Sequence, residues 1–207
     1  MPKAEKNYKS KIISGLKNIH VAKVNDDGTF AVPVPILGGK KVESSYEVSE
    51  DITYADDMAV DNDMTVSNGS GKMTVLGLLM DEKALIYGGD NMSGGWGLST
   101  NMQVPNLAIL FEQQKRDGGK ILSVIYNAQF KPAGINATTV EEKKEKETVE
   151  LEFTSLPAVT SVDDKNYFYY TVDTKDKNVS QEMIENWYKT VQVPKKTVES
   201  TPNIPES

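Results

Sequence analysis

Between Ser49 and Lys72 the sequence reads SEDITYADDMAVDNDMTVSNGSGK, with carboxylates at Glu50, Asp51, Asp56, Asp57, Asp61 and Asp63 and a Gly-Ser-Gly-Lys at its end. Such residue types could hold calcium or cradle a phosphate. A calcium loop of the EF-hand kind takes oxygen ligands at its first, third and fifth positions, glycine at the sixth and glutamate at the twelfth. Counted from Asp57, the third position is Ala59 and the sixth Asn62; counted from Asp61, the sixth is Val66. Neither start fits, which leaves only a looser arrangement of Asp61, Asp63 and a backbone carbonyl. The simpler expectation is a strand pair whose Ile52, Tyr54, Met58 and Val60 hold a core side while the carboxylates face water. A phosphate loop needs G-x-x-x-x-G-K-[ST] between a strand and a helix. Here the first glycine is replaced by Val66, the last position is Met73, and the strand-like MTVLGLL follows. Gly69-Ser70-Gly71 is therefore predicted as a hairpin turn.

The remaining reactive residue types are equally uncommitted. YGGDNMSGGWG (87–97) is glycine-rich but has no lysine, and reads as a flexible loop anchored by Trp96. Acid–base catalysis needs carboxylates in a cleft with separated proton affinities, whereas EEKKEKE (141–147) interleaves Glu141, Glu142, Glu145 and Glu147 with lysines, the pattern of a solvated edge. His20 alternates with Leu16, Asn18 and Ala22 on a strand, a packing or surface position. No nucleophile elbow of the G-x-S-x-G kind occurs. With no cysteine, disulfide, thiolate and Cys-ligated metal chemistry are excluded. No catalytic, metal-binding or cofactor-binding residue is assigned. A formal charge of −7 opposes a nucleic-acid reader, which presents a basic stripe. The longest apolar runs, such as VLGLLM (75–80), fall far short of the ~20 residues of a membrane helix. The basic MPKAEKNYKSKIIS (1–14) leads into no apolar signal core, so the expectation is a soluble chain made in the cytoplasm, with no membrane partner.

The elements that would carry these residues are mostly strands of period two. GLKNIHVAKV (15–24) and TFAVPVPIL (29–37) flank the turn Asn25–Gly28. Phe30, Val32, Val34 and Ile36 would share one face; Pro33 and Pro35, two apart, remove hydrogen-bond donors along one side only, as an edge strand permits. Further strands are predicted near 41–48, 51–60 and 63–79. NLAILFEQ (106–113) and ILSVIYNAQF (121–130) flank Asp117-Gly118-Gly119, with Leu122, Val124, Tyr126, Ala128 and Phe130 on one apolar face. ETVELEFTSL (147–156) alternates Val149, Leu151 and Phe153 with Glu150, Glu152 and Thr154, and NYFYYTVDT (166–174) is aromatic and β-branched. Two helices are predicted. One runs near 81–88, with Asp81 as N-cap and Gly88 or Gly89 as the stop. The other runs near 179–191, capped by Asn178 with Gln181 and striped by Val179, Met183, Ile184, Trp187, Tyr188 and Val191. The fold class is mainly β: an antiparallel sandwich or open barrel with one or two flanking helices, preceded by an arm (1–14), filling 15–192, and followed by a proline-rich flexible tail (193–207).

In order, GLKNIHVAKV, YEVSEDITYADDMAV, the short mid-chain helix, LAILFEQQKRDGGKILSVIYNAQFKP and ETVELEFTSLP resemble the major tail proteins of bacteriophages with long, non-contractile tails, in particular the family from phages of Gram-positive bacteria. The resemblance covers about residues 12–160 and lies in the ordered series, most strongly in the FE…KRDGGK…YNAQFKP hairpin and the VELEFTSLP strand. It implies a tail-tube subunit that forms rings, usually hexameric, stacked into a hollow tube. Its partners would be further copies of itself, the tape-measure protein inside, and terminator and baseplate or distal tail proteins at the ends. DNA would pass through without specific binding. Localisation would be the virion tail, and the family has no active site, metal or cofactor to carry over.

Under that implication the acidic stretch gains an expected role. A wall of carboxylates repels phosphates over about 8–10 Å at moderate salt, so Asp56, Asp57, Asp61 and Asp63 are candidates to face the lumen; the alternative is an ordinary outer surface. Ring assembly needs exposed, pairable strand edges, with the Pro33–Pro35 edge blocked. Residues 1–14, loop 88–101 and tail 193–207 are candidates to order against a neighbouring ring. The alternative from another class is a carbohydrate- or surface-binding β-sandwich module stacking sugars on Trp96, Tyr167, Tyr169 or Tyr170.

Overall fold

A computed structural model describes residues 8–55, 57–89, 91–135, 137, 148–158 and 165–194. The elements are β1 (Ile13–Lys23), β2 (Val34–Pro35), β3 (Gly39–Ala55), β4 (Met58–Val75), α1 (Met80–Tyr87), β5 (Asn91–Met92), β6 (Gly95–Trp96), β7 (Leu107–Lys115), β8 (Lys120–Phe130), β9 (Val149–Ser155), β10 (Tyr169–Asp173) and α2 (Gln181–Asn186), after a short 3-10 turn at Tyr8–Lys11. Eight strands form one antiparallel sheet in the order β2-β1-β7-β8-β9-β4-β3, with β10 also paired to β8; it does not close into a barrel.

The sheet divides along β8. Residues 121–125 of β8 pair with β10, and residues 128–130 pair with β9 on the same side. Between the two lies Asn127, with a φ of 50°, a left-handed conformation that asparagine tolerates better than most residues. Its side-chain amide donates to Pro157 O at 3.2 Å, and its carbonyl accepts from Leu156 N at 3.2 Å. The kink shifts the alternation by one residue. Leu122, Val124 and Tyr126 therefore enter one core while Ile125, Ala128 and Phe130 enter the other. The single apolar face expected over 122–130 is thus split, and β8 is buried on both sides.

The first core lies between one face of β1, β7 and β8 and the opposing β4, β9 and α1, with Val21, Met73, Ile109, Phe130, Leu151 and Phe153 at its centre. β9 alternates as expected, with Leu151 and Phe153 buried and Glu150, Glu152 and Thr154 exposed. The second core lies on the opposite face. It is covered by the C-terminal segment, where Trp187 is fully buried and Val179, Met183, Ile184, Tyr188 and Val191 pack around it. A short helix cannot hold itself together in water; this one is held by its apolar stripe and by Tyr126 Oη donating to Gln192 O at 2.5 Å.

Several local expectations are corrected. The N-cap of α1 is Leu79, not Asp81; Glu82 Oε2 accepts from Leu79 N at 2.8 Å, and Gly88 stops the helix with a φ of 82°. The cap of α2 is Ser180, whose hydroxyl accepts from Met183 N at 3.2 Å, so Asn178 is not needed there. The predicted strand 29–37 shrinks to Val34–Pro35. Val32 and Val34 are exposed while Pro33 and Ile36 are buried, because prolines interrupt the ladder and the alternation with it. Loop 88–101 contains a small ribbon, β5–β6, in which Trp96 Nε1 donates to Gly88 O at 2.8 Å and its ring lies 5.5 Å from Tyr87.

Candidate assembly surface

β3 and β4 form one long ribbon, in register from Gly39 opposite Val75 to Ala55 opposite Met58. Its turn falls between Ala55 and Met58, where Asp57 has a φ of 60°, so the strands predicted at 51–60 and 63–79 are redrawn. The expected turn at Gly69–Gly71 lies inside β4, paired on both sides. These glycines meet a need for space. A Cβ on Gly69 would stand 2.1 Å from Ser155 Oγ, and one on Gly71 would stand 2.2 Å from Glu43 O and 2.3 Å from Phe153 Cζ. Strand glycines mark such close approaches as well as bends.

Above Gly69 the ribbon loses its third strand, since β9 ends with Ser155 opposite Gly69. Tyr46, opposite Gly69, touches the body, with its ring 5.4 Å from both Phe168 and Tyr169. The remaining nine residues to Ala55 project about 30 Å. Directly paired residues share a face, so the register assigns Val48, Glu50, Ile52 and Tyr54, with Asn62, Met64 and Val66, to one side, while Val60 falls at the register shift between Thr53 and Tyr54. Ser49, Asp51, Thr53, Asp61, Asp63 and Thr65 occupy the other, with Asp51 opposite Asp63. Among the described residues no layer covers the hairpin: Val48, Ile52, Tyr54, Met64 and Val66 on the first face are 39–66% exposed. Ile52 and Tyr54 do share a side, as expected, but no core lies beneath it among the described residues; Val60 falls at the register shift and Met58 sits exposed at the turn.

Of the predicted lumen residues, Asp61 and Asp63 come together on the polar face, Asp57 sits at the tip, and Asp56 lies outside the described residues. Asp61 Oδ1 accepts only its neighbour's amide, Asn62 N, at 2.9 Å. Among the described residues no group of three or more acidic or histidine side chains is placed to hold a metal ion, and no helix is long and apolar enough to cross a membrane. Between Lys41 and Lys72 the sequence contains no basic residue, so every charged side chain of the projecting hairpin is acidic.

The sheet ends differently on its two sides. β2 is terminal and two residues long, with Pro35 opposite His20 and Pro33 buried just before it; Ile36 N donates to Ile19 O at 2.8 Å. β3 is terminal on the other side and presents a 17-residue edge without proline. That edge was not singled out from the sequence; its one signal is the absence of proline and glycine from Lys40 to Ala55.

The other polar groupings pin the fold. Glu112, almost wholly buried, meets Lys120 Nζ at 3.1 Å and accepts from Tyr188 Oη at 3.4 Å, while His20 stacks 4.4 Å from Tyr188 and its Nδ1 lies 3.0 Å from Asn18 O. Burial, with Glu112 beside it, raises the Tyr188 phenol above its ordinary range. Lys115 Nζ lies 2.5 Å from Asp173 Oδ2; that bond holds the Asp173 carboxyl below its usual value and raises the Lys115 ammonium. A shallow cleft of about 490 Å³ beside β3, β4 and β9 has its charges already matched, Lys72 to Glu152 at 3.1 Å and to Glu150 at 3.5 Å. The proposed sugar platforms are dispersed. Tyr167 and Tyr170 pack on the second core, Trp96 on Tyr87, and only Tyr169 is exposed. EEKKEKE lies outside the described residues.

Among the described residues no reactive centre is assembled; what stands out there is an unpaired edge joined to an uncovered hairpin. A family model described as phage tail tube protein matches residues 12–195. The chain belongs to that family. The match runs past residue 160, taking in β10 and α2, which were less characteristic in the sequence. A search of curated proteins finds no match. As a phage tail tube protein the chain is a structural component of the virion tail, and the family points away from catalysis.

Proposed function

We propose that this tail tube protein forms closed rings, six copies to a ring in the manner of its family, which stack into a hollow tail of the long non-contractile kind and conduct the phage genome. The observation that carries the reading is the 17-residue open edge of β3 continuing into a hairpin with a bare apolar face. An exposed edge of that length is an aggregation hazard in a lone molecule and an assembly device in a closed oligomer. On the opposite side the short, proline-marked β2 blocks free pairing beside His20 and Val21 of β1.

In such a tube the polar face of the hairpin, with Asp61 and Asp63 and the tip residue Asp57 beside Asp56 in sequence, lines the lumen. Carboxylates there repel the duplex and offer no counterion-release gain, so DNA slides rather than binds. The tape-measure protein occupies the bore during assembly, and terminator and baseplate proteins close the ends. Concentrated pure protein examined by electron microscopy and sedimentation should give rings or tubes with a central channel. A species that stays monomeric at high concentration, or that binds glycans instead, rejects the assignment. In a side-chain-resolution reconstruction, outward-pointing Asp61 and Asp63 would sink the lumen role alone.

A further inference from the structure

Tyr46, Gly69, Ser155 and Ala128 stand opposite one another across β3, β4, β9 and β8, so their side chains share a face. Gly69 contributes no side chain, and Tyr46 lies across the space it leaves. A Cβ on Gly69 would stand 2.1 Å from Ser155 Oγ and 2.9 Å from Tyr46 Cε1, so the serine hydroxyl and the phenol ring meet over the same point. Beyond Ser155 the sheet has a break: β9 ends there, β10 begins at Tyr169 on the same side of β8, and Asn127 lies in the interval. The Tyr46 ring closes one side of that break, against Phe168 and Tyr169.

Three polar atoms are buried here and make no hydrogen bond among the described residues: Tyr46 Oη, Ser155 Oγ and Asn127 Oδ1. Ser155 and Asn127 are 1% and 8% exposed. Asn127 Nδ2 is already engaged, donating to Pro157 O, so Oδ1 is left to accept. Burial raises the Tyr46 phenol, with the Ser44 hydroxyl a weaker opposing influence, so Tyr46 enters as a neutral O–H. A buried polar group left unpaired costs its full desolvation, and native folds pair nearly all of them. We propose that one ordered water molecule sits in this break and bridges Tyr46 Oη, Ser155 Oγ and Asn127 Oδ1. Two hydroxyls that donate or accept and an amide oxygen that accepts suit a water, which makes about three such bonds when buried. All three groups are neutral and so do not call for an ion, and the crowding over Gly69 refuses a larger guest. A water-mediated bond is nearly as good as a direct one. The bridge therefore ties the root of the projecting hairpin, at Tyr46, to the end of β9 and the kink of β8. It stands whether or not the chain forms tubes.

Tyr46→Phe and Ser155→Ala each delete one hydroxyl and keep the rest of the side chain. Were the atoms unpaired, deleting one would relieve a penalty, and stability would hold or rise. With the bridge in place, each variant should lower the folding equilibrium constant about two- to tenfold, read from urea unfolding. The double variant should lose about as much as the worse single one, because either change releases the same water. A crystal structure of the whole chain that resolves ordered solvent should show the water within about 3.2 Å of at least two of the three atoms, and it decides the matter if a variant does not fold. A direct bond between any two of the three, a side chain filling the break, stability held or raised in both variants, or losses that multiply in the double variant would each overturn the site.

Discussion

The lower and upper halves of the β3–β4 ribbon are one continuous strand pair under two regimes. Over residues 69–75 of β4 a third strand and a full core press on the ribbon so closely that Gly69 and Gly71 have no room for a methyl group. Over 48–66 the same pair, broken by a register shift between Thr53 and Tyr54, carries a mainly apolar and a polar face with no layer among the described residues against either. Packing dictates the residues below; above, no layer among the described residues covers the pattern. Buried area stabilises a molecule only where a layer exists to cover it, so identical strand grammar carries the fold in one half and leaves an uncovered surface in the other.

The sharpest way to break the contrast is to damage the covered half. Phe153→Ala removes a fully buried ring shared with Gly71 and Phe130 and should cost about 3–5 kcal/mol, read as a lowered urea midpoint; a loss under a third of that means the core is looser than described. Gly71→Ala should cost about 1–3 kcal/mol by overpacking. Equal stability to wild type would show that the glycine serves a bend after all. In the projecting half, Val60→Asp should alter the stability of the lone chain by no more than about 0.5 kcal/mol while assembly falls. Hydrogen exchange gives the contrast without mutation. Amides of 48–66 should exchange at least about a hundredfold faster than those of β8 in free protein, and slow on assembly; equal protection in the free chain would contradict an uncovered hairpin.

The smallest effect concerns pH, at the turn beneath the second core. Asp173 is depressed by Lys115, so its contribution is present above the ordinary carboxylate pKa of about 3.9 and is lost as pH falls through the lower folded value. Lys115 is raised, so its contribution is present below about 10.4 and is lost as pH climbs through the higher folded value. Between these limits the pair is insensitive. Because Asp173 is partly exposed, solvent screens the interaction, and Lys115→Met should flatten only a shallow acid limb in the urea midpoint. An unchanged limb would assign it to other carboxylates.

Much of the body was legible from alternation and turn chemistry. Val149, Leu151 and Phe153 against Glu150, Glu152 and Thr154 fixed a half-buried strand, and Asp117-Gly118-Gly119 a hairpin, because period two and glycine at positive φ have few other meanings. Glycine at 69 and 71 has two meanings, freedom to bend or freedom from a side chain, and only the position of Phe153 and Ser155 chooses between them. Ile52 and Tyr54 were placed on one side correctly, but one strand pair cannot announce whether a layer lies below it. The β3 edge was missed for the same reason: an edge is defined by a neighbour that is absent.

Asn127 lends the molecule a further property. One strand feeds hydrophobic side chains to both cores, and the exchange takes place across that single left-handed residue. Neither half can melt and leave the other standing, because each would take β8 with it. Heat or urea should therefore meet a single all-or-none barrier, and a subunit under tension along the tail has no soft seam at which to come apart.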